Sequence, residues 1–123
     1  MSTTTFKLLK QKLIFIINPH SGLGKHALIE RLLQRDLDHS KFDWELRYTS
    51  YPKHASEIAL EALNNKVDIV VAVGGDGTIN EIASVLVNTN CTLGIIPAGS
   101  GNGLARHLKI SRKTRKAIKV LNT

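Results

Sequence analysis

Val71-Ala72-Val73-Gly74-Gly75-Asp76-Gly77-Thr78-Ile79-Asn80-Glu81 is an apolar strand that breaks into a glycine turn carrying one carboxylate, after which a helical pattern begins. It reads as a phosphate-binding turn. Three glycines around Asp76 are expected to let the backbone take positive φ values and approach a ligand closely. The helix that follows offers free N–H groups and the positive end of its dipole, so a polyphosphate can settle there without a dedicated cationic pocket.

On both sides of this stretch, apolar runs of strand length alternate with segments of helical spacing, the pattern of repeated β-α units and a parallel sheet. Strands are expected at Lys12–Asn18, Asp43–Thr49, Asp68–Val73 and Thr92–Ile96. Between the first two, Leu28, Ile29, Leu32 and Leu33 form the apolar stripe of a helix over residues 25–37, with Glu30, Arg31, Gln34 and Arg35 facing water. In the second strand Trp44, Leu46 and Tyr48 alternate with Glu45 and Arg47, as near a sheet edge. Ser50 and Pro52 are expected to start the next helix, whose inner stripe is Ala55, Ile58, Ala59, Ala62 and Leu63. The third strand is continuously apolar and therefore central. Thr78 and Glu81 have capping-box spacing ahead of Ile82, Ala83, Val85 and Leu86. After Pro97 come the loop Ala98-Gly99-Ser100-Gly101-Asn102-Gly103 and helical segments near residues 104–108 and 111–121. The fold class is α/β: a three-layer, Rossmann-like parallel sheet with helices on both faces.

The 123 residues make one domain's worth of chain, read as a polar leader over 1–11 and a nucleotide-binding domain over 12–123. Cys91 is the one cysteine, so no internal disulfide forms and a reducing compartment is expected. The leader lacks the apolar run of a signal peptide, and Leu13–Ile17 is too short to span a bilayer, which points to a cytoplasmic protein. The formal charge of +7 is unevenly placed. Ten Lys/Arg and ten Asp/Glu balance over residues 1–81, whereas Arg106, Lys109, Arg112, Lys113, Arg115, Lys116 and Lys119 follow with no acid among them. Such a stripe suits phosphates or an anionic membrane surface, and equally a solvated helix face. Nucleic acid is not an expected partner, because no aromatic residue lies in the basic stretch to stack on bases.

In a parallel α/β sheet, ligands bind outside the carboxyl ends of the strands. Four loops should gather there: Asn18-Pro19-His20-Ser21-Gly22, Thr49-Ser50, Gly74–Asn80 and Gly99–Asn102. Three of them are rich in glycine and small polar residues, which fits one extended polyphosphate better than an apolar metabolite. Gly22-Leu23-Gly24-Lys25-His26-Ala27 also matches a dinucleotide-binding fingerprint, with Asp43 and Glu45 about 20 residues on. These acids, however, fall at the start of the second strand, while the ribose-binding acid belongs at its end. A Walker-type loop fails on spacing and on the missing Ser/Thr after Lys25. His26, His39, His54 and His107 show no metal-ligand spacing.

The set Asn18-Pro-x-Ser-Gly22, Thr49, Gly74-Gly-Asp-Gly-Thr-Ile-Asn-Glu81 and Pro97-Ala-Gly-Ser-Gly-Asn102, in this order, resembles the catalytic-domain signature of diacylglycerol kinases. Their superfamily also holds sphingosine kinases, bacterial lipid kinases and, more distantly, NAD kinases. The resemblance spans roughly Lys12 to Leu121 and implies the N-terminal domain of the NAD kinase/diacylglycerol kinase-like fold, with ATP as phosphoryl donor and Mg²⁺ as cofactor. Family nucleotide contacts carry onto Asn18, Pro19, His20, Ser21 and Gly22, onto Thr49, onto Gly74, Gly75, Asp76, Gly77, Thr78, Ile79 and Asn80, and onto Gly99, Ser100, Gly101 and Asn102. Asp76, the one carboxylate in a phosphate loop, is the candidate catalytic residue and metal ligand. It would hold Mg²⁺ directly or through water, orient the acceptor hydroxyl, or brace the turn as an Asx side chain.

The expected acceptor is diacylglycerol, a sphingoid base or a similar lipid, with a soluble acceptor such as NAD and a non-catalytic nucleotide-binding module as alternatives. Gly103 stands where many bacterial members carry aspartate, a tilt toward long-chain bases. Family members continue into a β-rich domain that holds the lipid and supplies the general base. The 123 residues alone are therefore expected to bind ATP weakly, to transfer phosphate negligibly, and to offer a bare sheet edge as a candidate surface for homo-oligomer formation.

Overall fold

The computed structural model describes residues 10–19 and 26–97, and the helical segments expected beyond Pro97 lie outside them. The chain runs β1 (Gln11–Ile17), α1 (His26–Asp36), β2 (Phe42–Tyr48), α2 (His54–Asn64), β3 (Ile69–Gly74), α3 (Asp76–Leu86) and β4 (Thr92–Pro97). All pairings are parallel, in the order β2-β1-β3-β4. The expected strands are present, with ends displaced by one residue, the usual ambiguity of an element boundary.

Both faces of the sheet are covered, as expected of a doubly wound fold. Leu13, Phe15 and Ile17 of β1 join Val71 and Val73 of β3 under Ile29, Leu32 and Leu33 of α1. The alternate residues Ile14, Ile16, Val70 and Ala72 pack under Ala55, Ile58, Ala59 and Ala62 of α2 and Ile82 and Leu86 of α3. The period-2 alternation of the strands and the helical stripes therefore meet at the same two interfaces. Because α1 leads from β1 outward to β2 and α2 leads back across to β3, the connections reverse direction between β1 and β3. That reversal leaves a crevice outside the carboxyl ends of these two strands.

The structure corrects several local expectations. Helix α2 does not start at Ser50 or Pro52. Residues 51–53 form a turn, and the helix begins at His54, because Lys53 adopts φ 68°, ψ 5° and interrupts helical geometry. Thr78 and Glu81 do not form a capping box. The N-cap of α3 is Gly75, so both residues already lie inside the helix. The turn after β3 is likewise shorter than Gly74–Gly77, with Gly75 alone between strand and helix. Nor do its glycines use left-handed backbone: Gly75 is extended at φ −90°, ψ −170°, and neither Gly74 nor Gly77 has a positive φ.

Glu30 was expected to face water, yet it is half-buried and accepts a hydrogen bond from the Tyr48 hydroxyl at 2.5 Å. Burial and the Glu30 carboxylate together push the Tyr48 phenol up to about 12. An unfolded tyrosine ionises near 10, so the bond stabilises the fold fully below that pH, and its contribution is lost as pH rises from about 10 through 12. Urea unfolding of Tyr48→Phe beside the unsubstituted chain should show the two stabilities converging across this window. A constant difference would exclude the bond as its source. Cys91 sits partly buried before β4, where burial raises its thiol pKa, so it is kept protonated.

Candidate phosphate and nucleotide site

Asn18, the first residue after β1, donates its main-chain N–H to Val73 O at 3.3 Å and its amide Nδ2 to Thr78 Oγ1 at 3.5 Å. These bonds tie the end of β1 to the end of β3 and to the first turn of α3. Thr49 continues β2 by donating its N–H to Ile17 O at 2.9 Å, and its side chain is buried. Asn18, Thr49 and Thr78, which the sequence placed in separate loops, thus line one cavity of about 270 Å³ at the carboxyl edge. Ser50, Tyr51, Pro52, Lys53, Ala55 and Glu81 complete its wall.

Gly74 and Gly75 serve different ends. A Cβ on Gly74 would lie 3.1 Å from Thr78 Cβ and Oγ1, so this glycine lets the buried threonine close over the strand end. A Cβ on Gly75 or Gly77 would meet nothing within 4 Å. Neither packing nor backbone conformation within the described chain requires glycine there, and the space beside them is open to a ligand. The first bond of α3 runs from Ile79 N–H to Gly75 O at 3.1 Å, so the N–H groups before it have no intrahelical partner. Asp76, in that first turn, is exposed.

The remaining expected residues are placed as follows. Pro19 is half-buried in the turn after Asn18, Ile79 packs against the core beneath α2 and α3, and Asn80 is exposed on α3. His20, Ser21, Gly22, Gly99, Ser100, Gly101 and Asn102 lie outside the described residues, as does the basic stretch from Arg106. Asp43 stands near the start of β2 and Glu45 at its middle, so neither acid is at the carboxyl edge, where Thr49 follows the strand. Among the described residues no group of three or more His, Cys, Asp or Glu gathers to hold a metal.

Two supports of this edge lie outside the expected site residues. His54 accepts a hydrogen bond from Ser50 N–H on its Nδ1 at 2.8 Å and stacks on Tyr51 with ring centroids 4.2 Å apart, so it ties the β2–α2 loop into place. Glu81 reaches the cavity and accepts from Ser56 Oγ at 3.1 Å. The available signal was positional. The segment Ser50–His54 follows a strand end already assigned to the ligand edge, and every residue of such a connection is a candidate.

The diacylglycerol kinase catalytic domain family matches residues 12–123. A diacylglycerol kinase of Bacillus subtilis is 36% identical over 103 residues, covering 80% of this chain and 33% of that protein. Sphingosine kinase B of Dictyostelium discoideum is 30% identical over 118 residues, covering 90% and 16%. The crystal structure of a diacylglycerol kinase from Bacillus anthracis superposes with a TM-score of 0.62 at 26% identity, covering 90% of this chain and 42% of that one. The chain spans less than half the length of each of these proteins. On the family match and the shared fold together, the chain belongs to the diacylglycerol kinase catalytic domain family.

Proposed function

We propose that this chain is the ATP-binding half of a lipid kinase, which transfers the terminal phosphoryl group of ATP to the hydroxyl of diacylglycerol, a sphingoid base or a similar lipid. Membership of a kinase family implies ATP as donor. The observation that carries the assignment to this site is the approach at Gly75, open among the described residues, beside the α3 N–H groups that have no intrahelical partner and next to the Asn18–Thr49–Thr78 cavity. Phosphoryl transfer asks a protein mainly for positioning and charge stabilisation. The first turn of α3 does this by donating N–H groups to phosphate oxygens without reorganising. Asn18 and Thr78 are tied together on the cavity wall, which Thr49 also lines.

Mg²⁺ fits the donor set, since this ion keeps several waters and takes one or two carboxylates together with substrate phosphates. Asp76, exposed beside the glycines, is the carboxylate that would hold it. When bound, the ion supplies neutralisation of phosphate charge. The lipid acceptor and the general base are assigned to the part of the longer relatives that this chain does not span. Arg106 to Lys119 would offer a surface for anionic membrane, and the edge of the sheet a surface for a homo-oligomer. Among the described residues no helix is long and apolar enough to cross a membrane.

The test is ATP titration with and without Mg²⁺ on the chain and on Asp76→Ala. The unsubstituted chain should bind ATP at least about tenfold more tightly with the metal, and Asp76→Ala should fold normally yet lose that increment. An undiminished metal effect in Asp76→Ala would remove the residue from the metal site.

A further inference from the structure

Three non-glycine residues among those described have positive φ: Lys53 at 68°, Lys66 at 57° and Asn88 at 61°. Lys66 follows the end of α2 and Asn88 the end of α3, where a left-handed residue commonly closes a helix. Lys53 is the exception. It occupies the N-cap of α2, a position that normally takes extended backbone and a capping side chain, and it makes no side-chain capping bond. A lysine in this conformation is strained where a glycine would not be.

Local structure therefore gives no reason for lysine at position 53, whereas the cavity does. Among the described residues that line it, Lys53 and Glu81 are the charged ones, and Lys53 is the one cation. Its ammonium forms no ion pair with a carboxylate among the described residues, unlike Arg35 with Asp36 and Arg47 with Glu61. A polyphosphate entering this space meets helix N–H dipoles on the α3 side, an acid on Glu81, and one mobile positive charge on the β2–α2 loop. Backbone strain that persists beside a ligand site, with no packing reason for it, is the pattern of a residue retained for its side chain.

We propose that Lys53 binds the polyphosphate of the nucleotide, its ammonium held over the cavity by the left-handed turn at the start of α2. This rests on the nucleotide reading of the site and adds a charged contact that reading does not use. The residue acts on affinity for phosphate charge, and its backbone conformation lowers stability.

These two consequences have opposite signs, which makes the assignment testable by Lys53→Gly and Lys53→Arg. Lys53→Gly should raise the thermal midpoint by about 2–5 °C as the strain is relieved. The same variant should weaken Mg·ATP binding about tenfold, weaken ADP binding less, and leave adenosine binding unchanged. Lys53→Arg should keep Mg·ATP affinity within about twofold and show no gain in midpoint. Unchanged Mg·ATP affinity in Lys53→Gly would overturn the proposal. So would equal weakening of ATP and adenosine, which would mean that the residue only shapes the loop. Failure of the unsubstituted chain to saturate with Mg·ATP is a separate result that removes the nucleotide reading and this inference together.

Discussion

Gly75→Asp abolishes nucleotide binding, a loss of at least about 100-fold, without unfolding the chain. The two halves of this expectation have separate physical grounds. Gly75 is extended at φ −90°, ψ −170°, a conformation open to any L residue, and a Cβ there meets nothing within 4 Å. It is also the N-cap of α3, where aspartate is among the best capping residues and a negative charge faces the favourable end of the helix dipole. Thermal stability should therefore be unchanged or slightly higher. The same carboxylate, however, occupies the open approach and captures the N–H groups assigned to phosphate, and it repels a polyanion. Calorimetric titration with Mg·ATP, paired with a thermal melt, checks both halves. Binding within about threefold of the unsubstituted chain would show that phosphate goes elsewhere.

The largest effect on stability is expected from Phe15→Ala, at about 3–5 kcal/mol. Phe15 is fully buried on β1, the strand between β2 and β3. It packs within the cluster under α1 and meets Trp44 edge-on, with ring centroids 5.8 Å apart. Truncation leaves a cavity that neither the sheet nor α1 can close without breaking the register of three strands. Against a total stability of about 5–15 kcal/mol for a domain, this leaves the chain marginal. Urea unfolding followed by the fluorescence of Trp44, the one tryptophan, measures it. A cost under about 1 kcal/mol would mean that Phe15 is not at the centre of the core. Gly75→Asp should thus lose nucleotide binding in a stable chain, whereas Phe15→Ala should weaken it only as far as the folded population falls.

The elements were legible in the sequence because two periodicities dominate it. The apolar run Val70–Val73 can only be a strand covered on both faces, and the stripe Ala55, Ile58, Ala59, Ala62 belongs to one side of a helix. The alternation Trp44, Leu46, Tyr48 likewise placed β2 at an edge. Turn conformation was less legible. Glycines at 74, 75 and 77 suggested left-handed backbone, yet none uses it, while Lys53, which no propensity marks, does. Glycine at 74 answers to the approach of Thr78, and glycine at 75 answers to nothing inside the described chain. Capping failed for a related reason. Thr78 has the spacing of a cap, but strand β3 hands over to the helix three residues sooner, at Gly75, and the threonine turns inward to Asn18. The strand-end residues Asn18, Thr49 and Thr78 were found from their motifs. The wall contributed by Tyr51–Lys53 was not, because its contacts depend on how one loop folds back on its own helix.

Whether a nucleotide binds at the carboxyl ends of β1 and β3 is decided by amide chemical-shift mapping of the isotope-labelled chain titrated with Mg·ATP. The largest shifts are expected at Asn18, at Thr49–Lys53 and at Gly74–Asn80, all at one edge of the sheet. Shifts gathered instead at Lys12, Asp43 and Val67, beside the hollow at the amino ends of the strands, would contradict this expectation.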